Sequence, residues 1–232
     1  MRIYHLKKDS NWFPKAENAP GDLPMAIGGD LRPDRLLEAY SQGIFPWYTP
    51  GEPIMWWSPD PRMVLPPEEV KIARSMRPIF NQRRFRFTAD TEFERVLRHC
   101  MSIPRKGQKG TWISEELIES YQQLHEEGYA HSVEVWHGKD LVGGLFGMAI
   151  GKVFCGDSMF SLESNASKAG FIRMVQWLDE KGFRLIDCQV HNNHLESLGA
   201  REVPRSNFLM WLRELRDLPG LTGKWNEIFP EF

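Results

Sequence analysis

Three apolar runs between residues 131 and 160 restrict the folds open to this chain more than any other feature. HSVEVWH (131–137), LVGGLFGMAI (141–150) and KVFCGDSMF (152–160) are separated only by Gly138-Lys139-Asp140 and by Gly151. Breaks this short that carry Gly suit hairpins, so an antiparallel meander is expected. Ser164–Glu180 then reads as a long amphipathic helix stopped by Gly182, and LIDCQV (185–190) as the next strand. A short helix to Leu198 and a last helix near Asn207–Leu215 follow. Upstream, Asp90 or Thr91 is placed to cap a helix through Cys100, and Ser114 to cap SEELIESYQQLHEEG up to Gly128. Helices, antiparallel strands, helix, strand and helix in this order argue for the α+β class.

The first 62 residues have another texture. One helix is predicted there, Pro33–Ser41, with Pro33 in its first turn and Gly43 as its stop. GIFPWYTPGEPIMWWSPDPR (43–62) then packs five prolines and three tryptophans into twenty residues. Frequent X-Pro bonds forbid long helices and discourage central strands. A small, irregular, aromatic-packed N-terminal domain is expected over 1–62, with Trp56 and Trp57 in its core, ahead of a larger domain over 63–232.

No apolar run approaches the ~20 residues that span a bilayer, and MRIYHLKKDSNWF lacks the apolar centre of a signal peptide. A cytoplasmic protein without membrane contact is expected. Cys100, Cys155 and Cys188 form no CxxC, which suggests neither a disulfide framework nor a thiolate zinc site. His191 and His194 in HNNH lack a nearby third ligand, so this stretch reads as a helix start and no metal is expected. The net charge is −2, yet Lys71–Lys109 holds eleven Lys/Arg against three acids, the footprint of a polyanion-binding face.

Alternation along LIDCQV sends Asp187 and Gln189 to one face and Cys188 to the other with Ile186. Two accounts of that polar pair stand side by side: a functional site, or an Asp capping the next loop with a Gln bonded to backbone. Asp157 in FCGDSMFS is open in the same way, as a site acid or as a hairpin-end Asp. The order of elements also resembles the GNAT acyltransferase core, which cradles coenzyme A pyrophosphate with a Gly-rich turn. Here that turn reads SLESNASK, without glycine, though backbone amides could still meet an anion there.

GGDLRPDRLLEAYSQGIFPWY, WWSPDPR, GTWI, HSVEVW, LVGGLFGMAIG, FCGDSMFS, NASK, LIDCQV and SLGA resemble, in order, the bacterial leucyl/phenylalanyl-tRNA–protein transferases. The resemblance runs from about residue 26 to residue 204. It implies a GNAT-like catalytic domain over 63–232 and an aminoacyltransferase that moves Leu or Phe, with Met a further donor, from tRNA to proteins beginning with Arg or Lys. The product is an N-degron marked for proteolysis. No metal, ATP or coenzyme A is implied, because the aminoacyl ester is already activated. The implied partners are leucyl-tRNA, phenylalanyl-tRNA and those acceptor proteins, met by a monomer.

The same resemblance implies residue roles. Asp187 and Gln189 match the catalytic pair at the acceptor amine, with Gln189 accepting a hydrogen bond from the amine and Asp187 orienting that arrangement. Asp157, where the family commonly has Glu, and Glu163 are implied at the acceptor's basic residue. Met159 matches a position of the aminoacyl pocket, Leu145 stands where some relatives carry Met, and Phe154 and Phe160 are neighbours. Trp47 and Trp112 match aromatics at the terminal adenosine, with Tyr40 and Tyr121 further candidates for that stack. Arg74, Arg77, Arg83 and Arg84 are implied at the acceptor-stem phosphates. Two rival functions are a coenzyme A-dependent N-acyltransferase and a non-catalytic binder of aminoacylated tRNA 3′ ends.

Overall fold

Prolines confine a sheet in the N-terminal region rather than prevent one. The computed structural model of the protein describes residues 3–103, 111–221 and 223–230. Strands β1 (Tyr4–Leu6), β2 (Ala26–Gly28), β3 (Phe45–Pro46) and β4 (Met55–Trp57) pair in the order β1-β2-β4-β3. Pro46 lies on the edge strand β3, where a missing N–H costs no ladder bond, and the other four prolines of the run fall between strands. The irregular wrap expected here is therefore corrected to a small sheet, whose strands are too short to show a period in sequence. Helix α1 (Pro33–Ser41) has the predicted bounds. Trp56 is fully buried on β4, edge-on to Phe13 at 4.8 Å, and its Nε1 donates to Gly28 O.

From β5 (Arg62–Leu65) the chain enters a second sheet. The elements that follow are α2 (Arg77–Asn81), β6 (Arg86–Ala89), α3 (Phe93–Ser102) and α4 (Glu115–Glu126). The predicted meander follows as β7 (Ala130–His137), β8 (Asp140–Ile150) and β9 (Val153–Ser161). Then come α5 (Ala166–Glu180), β10 (Leu185–Gln189), α6 (Asn193–Glu196), β11 (Arg201–Val203) and α7 (Arg205–Leu215). The sheet order is β11-β5-β10-β9-β8-β7-β6, antiparallel except for the β9–β10 pair. This is the α+β class read from the sequence.

Ser114 caps α4 as expected, its Oγ accepting from Leu117 N at 3.2 Å. Neither Asp90 nor Thr91 caps α3. Asp90 takes φ 54° and turns its carboxylate to Ser132 N, Trp225 N and His131 Nδ1. The buried carboxylate of Glu134 faces the start of α3 instead, accepting from Thr91 N and Glu92 N. Asn192 caps α6 by accepting from His194 N and Leu195 N, so HNNH is a helix start.

Each face of the seven-stranded sheet carries one core. On one face α5 packs Ile172, Val175 and Leu178 against Val133, Val135, Leu145 and Ile186. On the other, α3 and α4 share a continuous core with the N-terminal sheet and α7, through Leu117, Tyr121, Phe146, Trp56 and Phe208. No helix of the described residues is long and apolar enough to cross a membrane. Arg105, Lys106, Lys109 and the Gly110 of GTWI lie outside the described residues.

Candidate active site

Two neighbouring strands lose their regular pleat at the same level. On β9 the register against β8 slips between Phe146↔Ser158 and Gly147↔Gly156, leaving Asp157 as the extra residue of a β-bulge. Gly147 permits this, because a Cβ there would lie 2.1 Å from Cys155 O. On β10 the register against β5 slips between Asp187 and Gln189, and Gln189 takes φ 64°. A bulge re-aims the side chains beside it. β9 and β10 pair only from Leu185↔Val153 to Asp187↔Cys155, and beyond that point a pocket opens between them.

The two acids at this level are held in opposite ways. Asp187 accepts from Arg62 Nε (2.8 Å) and Nη2 (2.6 Å), a two-pronged pair with both side chains 1% exposed. Arg62 also donates to Gly43 O and lies over the rings of Phe45 and Phe208. Asp187 Oδ1 in turn accepts from Gln189 N at 3.0 Å, which holds the bulge in place. Among the described residues Asp157 meets no cation. Tyr40 Oη lies 2.5 Å from its Oδ1 and Tyr121 Oη 2.8 Å from its Oδ2, both at hydrogen-bond distance, and Gln189 Nε2 donates to Oδ1 (2.9 Å). Burial pushes the Asp157 carboxyl up to about 7 against these three bonds, with the nearby Asp187 carboxylate adding to the rise. Burial beside Asp157 drives both phenols well above the usual tyrosine value.

The pocket encloses about 260 Å³. Leu145, Phe154, Met159, Phe171, Met174 and Ile186 line its apolar part, Asp157, Asp187 and Gln189 its polar end, and Trp47 and Trp112 also border it. Trp47 is 39% exposed and stands 5.7 Å from the Trp57 ring. Among the described residues no group donates to Gln189 Oε1, so the amide carbonyl is open to a guest.

The structure thus brings Asp157, Asp187, Gln189, Met159, Leu145, Phe154, Trp47 and Trp112 to one pocket. Cys188 is buried with Ile186 on the α5 side of the sheet, as alternation predicts, though it also touches the pocket. Other expected positions lie outside that lining. Phe160 faces away, stacked on His99 at 4.6 Å, because it alternates with Met159. Glu163 lies past the end of β9 and binds Arg84 and His137, outside the pocket lining. Arg84 is consequently paired with Glu163, whereas Arg74, Arg77 and Arg83 are exposed and make no ion pair among the described residues. Tyr40 and Tyr121 are 2% and 0% exposed, with no ring face left for a base, and use their hydroxyls instead.

Sequence reading passed over Arg62, Phe171 and Met174. Nothing in composition separates a buried Arg from an exposed one. The two α5 residues do sit at helical spacing on that helix's apolar face. At the SLESNASK turn, Ser167 N donates to Ser161 Oγ and Ala166 N to Glu163 O, so these amides are not open to an anion. One group among the described residues has ligand atoms close enough for an ion: Asp90, His125 and His131. Asp90 accepts three bonds, His131 spans Asp90 and Gly128 O, and His125 Nδ1 meets Ala130 O. The group ties the C-terminal segment to the sheet through Trp225, stacked on His131 at 3.7 Å.

An apolar chamber that ends on an amide and two differently held carboxylates defines a class: proteins that seat an apolar group beside a polar point of reaction. Within that class, the chain belongs to the leucyl/phenylalanyl-tRNA protein transferase family. The profile of that family matches residues 64–213, and the profile of its N-terminal domain residues 29–60. The chain is 56% identical to the leucyl/phenylalanyl-tRNA–protein transferase of Christiangramia forsetii, over 86% of this chain and 95% of the relative. It is 53% identical to that of Syntrophus aciditrophicus, over 92% and 90%. It is also 49% identical to that of an Anaeromyxobacter species, over 97% and 96%. Among solved structures, L-PGS from Bacillus licheniformis aligns at TM-score 0.42 and 16% identity, over 73% of this chain and 56% of that one. A GCN5-related N-acetyltransferase from Kribbella flavida aligns at 0.34 and 9%, over 71% and 58%.

Proposed function

We propose that the protein transfers a leucyl or phenylalanyl group from the 3′ end of its tRNA to the α-amino group of proteins that begin with Arg or Lys. The observation that carries this reading is the pocket itself, an apolar chamber whose polar end holds Asp157, Asp187 and Gln189. The unbranched Met159 and Met174 suit a guest side chain that is either branched or aromatic. Trp47 and Trp112 stand at the pocket's border for the terminal adenosine, where stacking on a base contributes about 1–3 kcal/mol. Arg74, Arg77 and Arg83 present free charge for acceptor-stem phosphates without reading bases.

The reaction joins the amine nitrogen to the ester carbonyl carbon, breaks the bond from that carbon to the 3′-oxygen, and moves one proton from nitrogen to that oxygen. An α-amino group has an unperturbed pKa of about 7.7–8.0, so roughly 10–20% is neutral at pH 7. Placement therefore matters more than a strong base. Gln189 Oε1 accepts an N–H of the incoming amine and aims the nitrogen at the ester. Asp187, fixed by Arg62, holds Gln189 through its backbone N–H and so acts by positioning.

Radiolabelled leucyl- or phenylalanyl-tRNA, mixed with a peptide beginning with Arg, tests the reading. Label is expected on the peptide; label that stays on tRNA with the wild-type protein overturns it. Asp187→Ala is expected to lose turnover with a modest loss of tRNA binding.

A further inference from the structure

Three oxygen-to-oxygen contacts close a ring in the wall of the pocket. Tyr40 Oη meets Asp157 Oδ1 at 2.5 Å, Tyr121 Oη meets Asp157 Oδ2 at 2.8 Å, and the two phenol oxygens meet each other at 2.9 Å. Each such contact needs one proton between its oxygens. The two phenols bring two. With Asp157 ionised, both phenol protons point at the carboxylate, and the phenol oxygens face each other lone pair to lone pair inside the protein. A third proton, on Asp157, satisfies every contact. Gln189 Nε2 donates to Oδ1, which marks Oδ1 as the carbonyl oxygen and Oδ2 as the hydroxyl. The ring then runs one way: Asp157 Oδ2–H to Tyr121, Tyr121 O–H to Tyr40, and Tyr40 O–H to Asp157 Oδ1.

The surroundings favour the same state. Tyr40 on α1, Tyr121 on α4, Gln189 and Asp187 on β10 and Cys155 on its own strand face Asp157, and none is a cation. Arg62 on β5, the cation that holds the neighbouring Asp187, gives Nε and Nη2 to Asp187 and Nη1 to Gly43 O. A second ionised carboxyl beside Asp187 would stand without a partner of its own.

We propose that Asp157 works as a neutral carboxylic acid, kept so by the ring with Tyr40 and Tyr121, and delivers its proton to the leaving 3′-oxygen. The inference rests on the transferase reading above. As the amine nitrogen bonds to the carbonyl carbon and the carbon–oxygen bond breaks, Asp157 gives its proton to the 3′-oxygen. The nitrogen's surplus proton then passes to the Asp157 carboxylate, so nitrogen loses one proton, the oxygen gains one and Asp157 is restored. Tyr40 and Tyr121 are positioning residues in this scheme. Asp157 would thus serve proton transfer rather than act as a negative charge that attracts a basic acceptor.

Two measurements test this. Infrared difference spectra of the wild-type protein against Asp157→Asn are expected to show a carboxylic-acid carbonyl band at pH 6 that belongs to Asp157. A carboxylate pair of bands there in its place overturns the proposal whatever the kinetics. In steady state, Asp157→Asn preserves the hydrogen-bond pattern of the acid, with a carbonyl for Tyr40 and Gln189 and an N–H for Tyr121. Its kcat is expected to fall about 100-fold or more, the usual worth of general acid–base catalysis. Its KM for an Arg-initiated peptide should stay within about threefold and its melting temperature at about pH 4 near the wild-type value. A raised KM with kcat retained would make Asp157 a charge for the acceptor and overturn the proposal. Label that stays on tRNA with the wild-type protein overturns the transferase reading; label that moves at the wild-type kcat with Asp157→Asn overturns only the acid.

Discussion

The two faces of the seven-stranded sheet are held by different means. The α5 face is mainly apolar: Ile172, Val175 and Leu178 meet Val133, Val135 and Ile186, and Trp177 meets Trp225, with Asp90 and His131 as one buried polar pair beside that ring. The opposite face joins elements remote in sequence, and buried polar groups set their positions. Arg62 fastens β5 to β10 across 125 residues, and Tyr40 fastens α1 to β9 across 117. Arg205 at the start of α7 donates to Ser58 O and Ala19 O. Apolar packing tolerates exchange of similar volumes, whereas a buried polar contact fails when either partner is lost. Only the polar face leaves groups at the pocket with defined directions.

Breaking the ion pair on that face is expected to have the largest effect. Arg62→Ala leaves Asp187 buried without its cation, a loss on the order of 3–5 kcal/mol by urea denaturation. Arg62→Met with Asp187→Leu should recover most of that stability and no transfer activity, since apolar groups can replace a buried pair in packing alone. If the double variant is no more stable than Arg62→Ala, the face does not depend on the pair in this way.

Next comes the pH dependence of Asp157. Its folded pKa of about 7 lies above the ordinary 3.8, so between those values the native state holds a proton that the unfolded chain has lost. Wild-type stability attributable to this group is full below about pH 4 and declines until pH passes about 7. Asp157→Asn has no such decline. The stability of the variant relative to wild type should therefore rise across that window by on the order of 2 kcal/mol, allowing for solvent in the pocket. A difference that is flat from pH 4 to pH 7 would place Asp157 in the ionised state at neutral pH.

The same division decides what could be read without the structure. Runs of eight to fifteen residues, such as β7, β8, β9 and α5, carry enough periods to announce themselves, and the Gly-bearing breaks at 138–140 and 151 supply the turns. Strands of two to four residues, β1 to β6, carry almost none. Within the pocket, Asp157, Asp187 and Gln189 were legible as polar residues inside apolar strands. Their partners were not, because Arg62, Tyr40 and Tyr121 lie 36 to 125 residues away. Tyrosine rings suggest stacking, and only coordinates reveal that the hydroxyl is the working end. The bulge at Asp157 did leave a trace, since Gly147 and Gly156 interrupt two strands opposite each other. Alternation past that bulge is what divides Met159 from Phe160.

The smallest effect should come from the α5 face, and it tests whether that face is separate from the chemistry. Ile172 is fully buried among its neighbours but does not border the pocket, unlike Phe171 and Met174 on the same helix. Ile172→Val removes one methylene, at a cost of about 0.5–1.5 kcal/mol. Thermal melting should register that loss, while kcat and KM for both leucyl- and phenylalanyl-tRNA stay at wild-type values. The reason is directional: the pocket's polar groups hang from bonds on the other face, so a small relaxation of α5 leaves Asp187, Gln189 and Asp157 where they are. A change in the ratio of leucyl to phenylalanyl transfer would show that Ile172 sets the position of Phe171 or Met174. The α5 face would then contribute to donor choice as well as to stability.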